Sequence, residues 1–233
     1  MGAFDIGYIF SAIPQIMRAV PLTLMILVLS LFFGTLLGLF LTVMKLRKNP
    51  VSSTIATAYV SFMRGTPPLL QLYLVYYGLP KVLELVGINI NSWDKVFFAI
   101  AAFSLNSGAF LSEVMRSAYL SVDIGQQEAA FSVGMGSMQT LKRIIFPQAF
   151  AIALPNLGNS IIQLLKETSL AFIIGVNEIM GQAQLIIGRG YGVRQFETFI
   201  AASLIYWAIC IAMEKSFAFL ENMYKKGHRE IAG

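Results

Sequence analysis

Charged residues are scarce in this chain. Only 12% of its 233 residues are Asp, Glu, Lys or Arg, while 57% are hydrophobic; soluble domains carry about 25% and about 45–50%, respectively. This composition excludes an ordinary soluble domain and indicates an integral membrane protein. The formal net charge is +5, but the Lys and Arg residues stand at the edges of apolar runs instead of on one solvated face, so nucleic acid is not an expected partner.

Cysteine and histidine each occur once. Cys210 lies within an apolar segment, so an intrachain disulfide is excluded and the compartment cannot be deduced from cysteine. His228 lies in the polar C-terminal tail, so we expect no metal cluster.

The chain also lacks the common catalytic signatures. It contains no G-x-x-x-x-G-K-[ST] phosphate loop, no H-E-x-x-H and no G-x-S-x-G. We therefore expect neither catalysis nor a bound cofactor in this chain. The N-terminus lacks the basic start and cleavage site of a signal peptide, so we expect it to be retained.

Long apolar runs are what the chain does contain. A helix needs roughly 20 apolar residues to cross the bilayer core, and residues 19–44 carry no charge at all. Four more spans are predicted, roughly at 51–79, 96–120, 146–176 and 198–220. The sequence thus predicts an all-α membrane protein with five transmembrane helices, in one domain (residues 20–220) between an N-terminal segment (1–19) and a tail (221–233).

The distribution of Lys and Arg predicts the orientation. Ten lie on one side of the predicted spans and five on the other. The larger group is Lys45, Arg47, Lys48, Arg116, Lys142, Arg143, Lys215, Lys225, Lys226 and Arg229, and the smaller group is Arg18, Lys81, Lys95, Arg189 and Arg194. Because cytoplasmic loops are enriched in basic residues, we expect an external N-terminus, a cytoplasmic C-terminus and a cytoplasmic loop at about 121–146.

The segment before the first span has its own pattern. Ile9, Ile13 and Ile16 recur at helical spacing, while Asp5 and Arg18 interrupt the apolar face. This predicts an interfacial helix on the outer leaflet. The alternative is that the first span simply begins earlier.

The second predicted span contains Arg64-Gly65-Thr66-Pro67-Pro68 near its middle. Proline removes helical hydrogen bonds, and a broken backbone is tolerated within a membrane only where protein or a wet cavity covers it. Such breaks often line substrate paths. The alternative is a kink that only shapes packing.

One loop carries a specific motif. E-A-A at 128–130 is followed by Gly134 and by I-I-F-P at 144–147. This spacing resembles the EAA loop of ABC-importer permeases, with Phe146 where the family usually has Leu. The resemblance implies that the loop receives mechanical work from a separate ATPase through Glu128, Ala129, Ala130, Gly134, Ile144 and Pro147. The Glu128 side chain either pairs with an ATPase arginine or caps its own helix.

The resemblance extends to the polar amino-acid branch of these permeases. It is carried by RGTPPLLQLYLVYYGLP from Arg64, by GAFLSEVMRSAY before the loop, by LKETSL at 165–170 and by AASLIYW at 201–207. Residues 182–207 resemble cystine-type permeases. Where many relatives have Arg-Gly-Gly-Ile, this chain has Arg-Ser-Ala-Tyr at 116–119, so we expect different local packing at the entrance to the loop.

The resemblance also implies partners and a location. The fold would be that of a type I ABC-importer permease in the bacterial cytoplasmic membrane. The partners would be ATPase subunits that bind ATP and Mg, an external or periplasmic substrate-binding protein, and a second permease chain, either identical or a sister.

Ionisable groups inside spans are costly and are therefore candidate functional residues. An amino-acid zwitterion needs one anionic group and one cationic or donor group. The predicted substrate path comprises Arg64, Thr66, Asn106, Ser107, Lys166, Glu167, Thr168 and Ser169. The alternative is internal pairing, for instance of Arg64 with Glu113 or Glu167, and we expect Glu113 and Arg116 to form a structural pair.

These observations favour the membrane subunit of an ATP-driven importer of polar L-amino acids, with cystine as a candidate substrate. An ion-gradient-driven carrier or channel is the alternative, but it leaves the EAA spacing unexplained. A membrane enzyme or scaffold lacks a supporting set of residues.

Overall fold

The computed structural model describes residues 4–47 and 49–229. Lys48, which belongs to the basic group above, lies outside the described residues, as do positions 1–3 and 230–233 of the two end segments. Within the described residues the secondary structure is helical. The α-helices are α1 (Ile6–Met17), α2 (Val20–Leu46), α3 (Pro50–Gly65), α4 (Pro68–Tyr73), α5 (Leu79–Glu84), α6 (Lys95–Leu120), α7 (Ile124–Ser132), α8 (Ser137–Thr140), α9 (Phe146–Glu167), α10 (Ile179–Arg189) and α11 (Gln195–Arg229).

Four helical segments of the described chain are long and apolar enough to cross a membrane. They are Val20–Leu46, Lys95–Leu120, Ser137–Ile174 and Gln195–Met223, so four of the five predicted spans are confirmed by length and composition. The third segment begins earlier than expected because π-helical residues Leu141–Ile145 join α8 directly to α9. At its other end, a 3-10 helix at Thr168–Ile174 extends α9.

The second predicted span is not one continuous helix. The α3 helix ends at Gly65, Thr66 and Pro67 are extended, and α4 starts at Pro68. Proline is tolerated at the start of a helix because the first N–H groups have no helical acceptor. A π-helical turn at Leu74–Gly78 then leads into α5. The break is therefore present, whereas the count of five crossings and the orientation of the termini stay predictions.

Helices α2 and α6 approach each other closely at small residues. An ideal Cβ on Gly34 would lie 2.1 Å from the Ser107 Oγ, and one on Gly38 would lie 3.1 Å from the Gly108 carbonyl oxygen. The Thr42 hydroxyl lies 3.0 Å from the Ser112 carbonyl oxygen and donates across the interface. Small residues let helix backbones pack tightly, which makes this helix pair the centre of the fold.

Helix α1 packs against α10 and α11. Its buried residues Ile9, Ala12 and Ile16 join one apolar cluster with residues of those two helices. The backbone N–H of Asp5 donates to Glu197 over 3.2 Å. A turn at residues 18–19 separates α1 from α2, so the first span does not begin earlier as one continuous helix. The position of α1 relative to the bilayer stays a prediction.

Candidate functional site

The E-A-A motif lies on the short helix α7. Asp123 precedes this helix, and its carboxylate accepts a hydrogen bond from the Gly125 N–H over 2.7 Å. An N-terminal cap of this kind satisfies a backbone donor that has no helical acceptor. The suggestion that Glu128 caps its own helix is therefore wrong, because Asp123 does so. Glu128 and Ala129 are exposed, while Ala130 is buried.

Gly134 ends α7 with a left-handed backbone conformation. Its φ is +83°, and the following N–H, that of Met135, donates to the Ala130 carbonyl over 3.0 Å. A residue with a Cβ is strained at positive φ. The glycine in the motif thus has a direct structural reason, which is to reverse the chain after α7.

The return to the membrane follows through the π-helical residues. Ile144 is half-buried in this segment, and Pro147 lies in the first turn of α9. Large apolar side chains nevertheless remain exposed around the loop. They are Leu120, Ile124, Phe131, Val133, Met138, Leu141 and Phe146. An exposed apolar surface of this kind is typical of a contact with another protein or with lipid.

A cavity of ≈ 360 Å³ lies between α6 and α9, and we call it the α6–α9 cavity. It brings together three of the predicted substrate-path residues, Asn106, Ser107 and Glu167. The full lining is Leu31, Asn106, Ser107, Phe110, Leu111, Asn159, Ser160, Gln163, Leu164 and Glu167. Its volume falls within the roughly 300–1,000 Å³ typical of small-molecule sites.

Glu167 supplies the only carboxylate among the residues that line this cavity. It is half-buried and accepts a hydrogen bond from the Gln163 side-chain amide over 3.0 Å. Neither Lys nor Arg is among the lining residues. The cavity therefore offers a partner for a cation, while amide and hydroxyl groups are its donors.

The other residues of the LKETSL segment do not line the cavity. Lys166 is exposed, and the buried Thr168 hydroxyl donates to the Leu165 carbonyl over 2.7 Å. The Ser169 hydroxyl donates to the Lys166 carbonyl over 2.7 Å. Successive residues of a helix point in different directions, so only Glu167 of this segment reaches the cavity.

An open cleft of ≈ 580 Å³ runs along α3, and we call it the α3 cleft. Lys45 and Arg116 both bind Glu113 there, and the Arg116–Glu113 distance is 3.0 Å. The predicted Glu113–Arg116 pair is therefore present. The guanidinium of Arg64 lies 5.6 Å from the ring centre of Phe110, in the range of a cation–π contact. The ion pairs of Arg64 with Glu113 or Glu167, which were the alternative to a substrate path, do not form among the described residues.

The break between α3 and α4 is closed by a residue that the sequence analysis missed. Gln71 is 3% exposed, and its side-chain NH₂ lies 2.8 Å from both the Met63 carbonyl oxygen and the Thr66 hydroxyl. Asn106 donates to the Gln71 side-chain oxygen over 2.8 Å. Thr66 therefore belongs to the support of the break. A broken helix leaves backbone carbonyl oxygens without their helical donors. The side-chain amide of Gln71, which follows the two prolines in the sequence, was therefore the signal that could have identified this residue.

A second missed group is Glu178, which is fully buried before α10. Its carboxylate accepts from the Gly181 N–H over 2.9 Å and from the Tyr206 hydroxyl over 2.7 Å. Burial raises the pKa of Glu178 to about 7. It lies between the predicted spans, so a search for charges inside spans did not find it.

Comparison with known proteins agrees with this arrangement. The family described as binding-protein-dependent transport system inner membrane component matches residues 34–226. The chain is 40% identical over 229 residues to the L-cystine transport system permease protein TcyL of Bacillus subtilis (strain 168). The aligned region covers 98% of this chain and 95% of that protein. It is 37% identical over 226 residues to the probable amino-acid permease protein YxeN of the same organism, covering 97% of this chain and 96% of that protein.

The fold is also that of a solved transporter. The chain is similar to one chain in the crystal structure of an amino acid ABC transporter with histidines, with a TM-score of 0.83 and 32% sequence identity. The match covers 95% of this chain and 100% of that chain. The predicted resemblance is thus confirmed. The chain belongs to the binding-protein-dependent transport system inner membrane components and is a multi-pass permease subunit of the amino-acid ABC importer type.

Proposed function

We propose that the chain forms the translocation path of an ATP-driven importer of polar L-amino acids in a bacterial cytoplasmic membrane. The observation that carries this proposal is the α6–α9 cavity, which sets one carboxylate among amide and hydroxyl groups inside the helical domain. TcyL is an L-cystine permease, which makes cystine our first candidate substrate.

The lining of the cavity suits a zwitterion. The Glu167 carboxylate pairs with the substrate's ammonium group, since an ionised acceptor makes the strongest hydrogen bonds to a cation. The amides of Asn159 and Gln163 and the hydroxyl of Ser107 donate to the substrate's carboxylate. The apolar side chains of Leu31, Phe110, Leu111 and Leu164 complete the wall.

Arg64 marks the next step of the path. It lines the α3 cleft and lies over the ring of Phe110, a residue that also lines the α6–α9 cavity. A carboxylate that leaves the cavity past Phe110 therefore meets a guanidinium. Thr66 supports this region through Gln71, while Thr168 and Ser169 hold the end of α9 in place and Lys166 stays outside the cavity.

The complete transporter needs further subunits. A second permease chain, identical or a sister, completes the pore, and a substrate-binding protein delivers the amino acid from outside. The N-terminus lies outside, and α3 to α5 form the second of five crossings. ATPase subunits with bound ATP and Mg dock at α7, where Glu128 pairs with an ATPase arginine and Ala129 allows close approach.

Uptake in proteoliposomes tests the importer proposal against the ion-driven alternative. The permease, its ATPase and its binding protein are reconstituted together, and uptake of labelled L-cystine and L-arginine is measured. We expect uptake when ATP is supplied on the side of the membrane that carries the ATPase and no ion gradient is present. Uptake driven by an ion gradient without the ATPase would instead establish the carrier.

A pair of glycine variants tests the coupling loop. Gly134→Val places a β-branched side chain at φ +83°, which such residues avoid, so we expect ATP-driven uptake to fall by at least tenfold with normal membrane insertion. Gly136→Val is the matched control, because Gly136 has φ −74° and open space around its Cβ position. Wild-type uptake by the Gly134 variant would contradict coupling through this turn.

A further inference from the structure

The orientation of the Gln71 side-chain amide is fixed by the break in the second span. Its nitrogen lies 2.8 Å from the Met63 carbonyl oxygen and 3.1 Å from that of Thr66. Backbone carbonyl oxygens only accept hydrogen bonds. The NH₂ group of Gln71 must therefore face the break, and its carbonyl oxygen must face α6.

This orientation is passed on to Asn106. The Gln71 oxygen lies 2.8 Å from the Asn106 amide nitrogen, and because that oxygen only accepts, Asn106 must present its NH₂ group to it. The Asn106 carbonyl oxygen then points away from Gln71, on the opposite side of the Cβ–Cγ bond from the NH₂ group. No donor among the described residues binds that oxygen, and Asn106 lines the α6–α9 cavity.

We infer that Gln71 is a positioning residue for the substrate's ammonium group. Gln71 holds Asn106 so that its carbonyl oxygen serves as an acceptor in the cavity, beside the Glu167 carboxylate. An ammonium group has three N–H donors and no acceptor, so two acceptors in one cavity suit it better than a carboxylate alone. This inference rests on the proposed function, because it assumes that an amino acid occupies the α6–α9 cavity.

Two substitutions of Gln71 separate positioning from support of the fold. Gln71→Met removes both the donors to the break and the acceptor for Asn106, so the Asn106 amide is free to turn. Gln71→Glu also loses donors to the break, but its carboxylate still accepts from the Asn106 NH₂ group. Both variants lose stability, whereas only Gln71→Met releases Asn106.

The measurement is ligand binding to the permease–ATPase complex in nanodiscs, without the binding protein. The probes are L-cystine and L-arginine, compared with N,N′-diacetyl-L-cystine and Nα-acetyl-L-arginine, which lack α-ammonium groups. The ratio of the two Kd values is the discrimination. We expect Gln71→Met to lower the discrimination at least tenfold and Gln71→Glu to keep it within about twofold of wild type.

Two further variants make the test specific. Thr42→Val removes a buried hydrogen bond between α2 and α6 and is expected to keep wild-type discrimination despite its lower stability. In an Asn106→Leu background, Gln71→Met should cause no further loss, because Gln71 acts through Asn106. Additive losses would show that Gln71 has only a structural role and would overturn the inference.

The remaining outcomes also decide the matter. Wild-type discrimination in Gln71→Met, or its loss in Gln71→Glu, overturns the inference. If Gln71→Met fails to assemble, Asn106→Leu replaces it, and wild-type discrimination in that variant would overturn the inference as well. If Glu167→Gln abolishes discrimination while Gln71→Met keeps it, the α6–α9 cavity is still supported as the amino-acid site, and only the positioning role of Gln71 is contradicted. A wild-type complex that does not discriminate at all removes the proposed amino-acid site as well.

Discussion

Two carboxylates of this chain, those of Glu178 and Glu167, differ in how their hydrogen-bonding capacity is used. Glu178 is fully buried, and both of its oxygens accept hydrogen bonds, one from a backbone N–H and one from the Tyr206 hydroxyl. Glu167 is only half-buried, accepts from one amide and lines a cavity. Buried polar groups normally have their partners inside the protein. The contrast indicates that Glu178 holds the fold together, whereas Glu167 has capacity left for a ligand.

Glu167→Gln should have the largest effect on transport. The substitution keeps the shape of the side chain but removes its charge, so it removes the ionic partner of the substrate's ammonium group. We expect amino-acid-stimulated ATPase activity of the reconstituted transporter to fall about 100-fold, corresponding to about 2.7 kcal/mol.

Glu84→Gln is the matched control for this measurement, since Glu84 is exposed on α5. The ATPase activity of the Glu84→Gln transporter should be stimulated by amino acid as strongly as that of wild type. If Glu167→Gln assembles normally and is stimulated as strongly as the control, the contrast between the two carboxylates is wrong.

Glu178→Gln should act on stability and on its pH dependence. The pKa of Glu178 is raised from 4.5 to about 7 by burial, so the native state retains a proton that the unfolded state has released. Stability contributed by this group is therefore complete below pH 4.5 and is lost as the pH rises towards 7, by about 2 kcal/mol between pH 5 and 7. Glutamine stays neutral, so the variant should lack this pH-dependent loss.

Thermal unfolding of the permease in nanodiscs between pH 5 and 8 checks this prediction. Substrate-stimulated ATPase activity of Glu178→Gln at pH 7 should remain close to wild type. An unchanged pH dependence in the variant, or a loss of stimulation like that of Glu167→Gln, would show that the two carboxylates do not have separate roles.

Tyr206→Phe should have the smallest effect. It removes one hydrogen bond to Glu178 and leaves the packing of the ring in place, which costs about 1 kcal/mol. The expected result is a small decrease in the unfolding temperature with unchanged amino-acid binding. A change in binding would place Glu178 and Tyr206 in the substrate path after all.

The sequence predicted well the features that depend on neighbouring residues. Four apolar spans and the break at Thr66–Pro67 follow from local composition or from the backbone needs of proline. The Glu113–Arg116 pair also follows from helical spacing.

Features that depend on the packing of distant helices were not predictable in the same way. Glu167 and Asn106 were found because polar groups inside spans are costly. However, the sequence does not tell which residue of 166–169 faces a cavity, because that depends on how α9 is rotated against α6. The partners of Gln71 and Glu178 were missed, since they lie on other segments and are known only once the helices are packed.

The location of a bound amino acid is the most direct test of the central claim. The complete transporter can be crystallised with L-selenocystine, and the anomalous signal of selenium then locates the ligand. We predict selenium in the α6–α9 cavity, with the ligand's ammonium group in hydrogen-bonding contact with Glu167. A ligand bound elsewhere in the permease, with this cavity empty, would contradict the claim that Glu167 marks the path of the substrate.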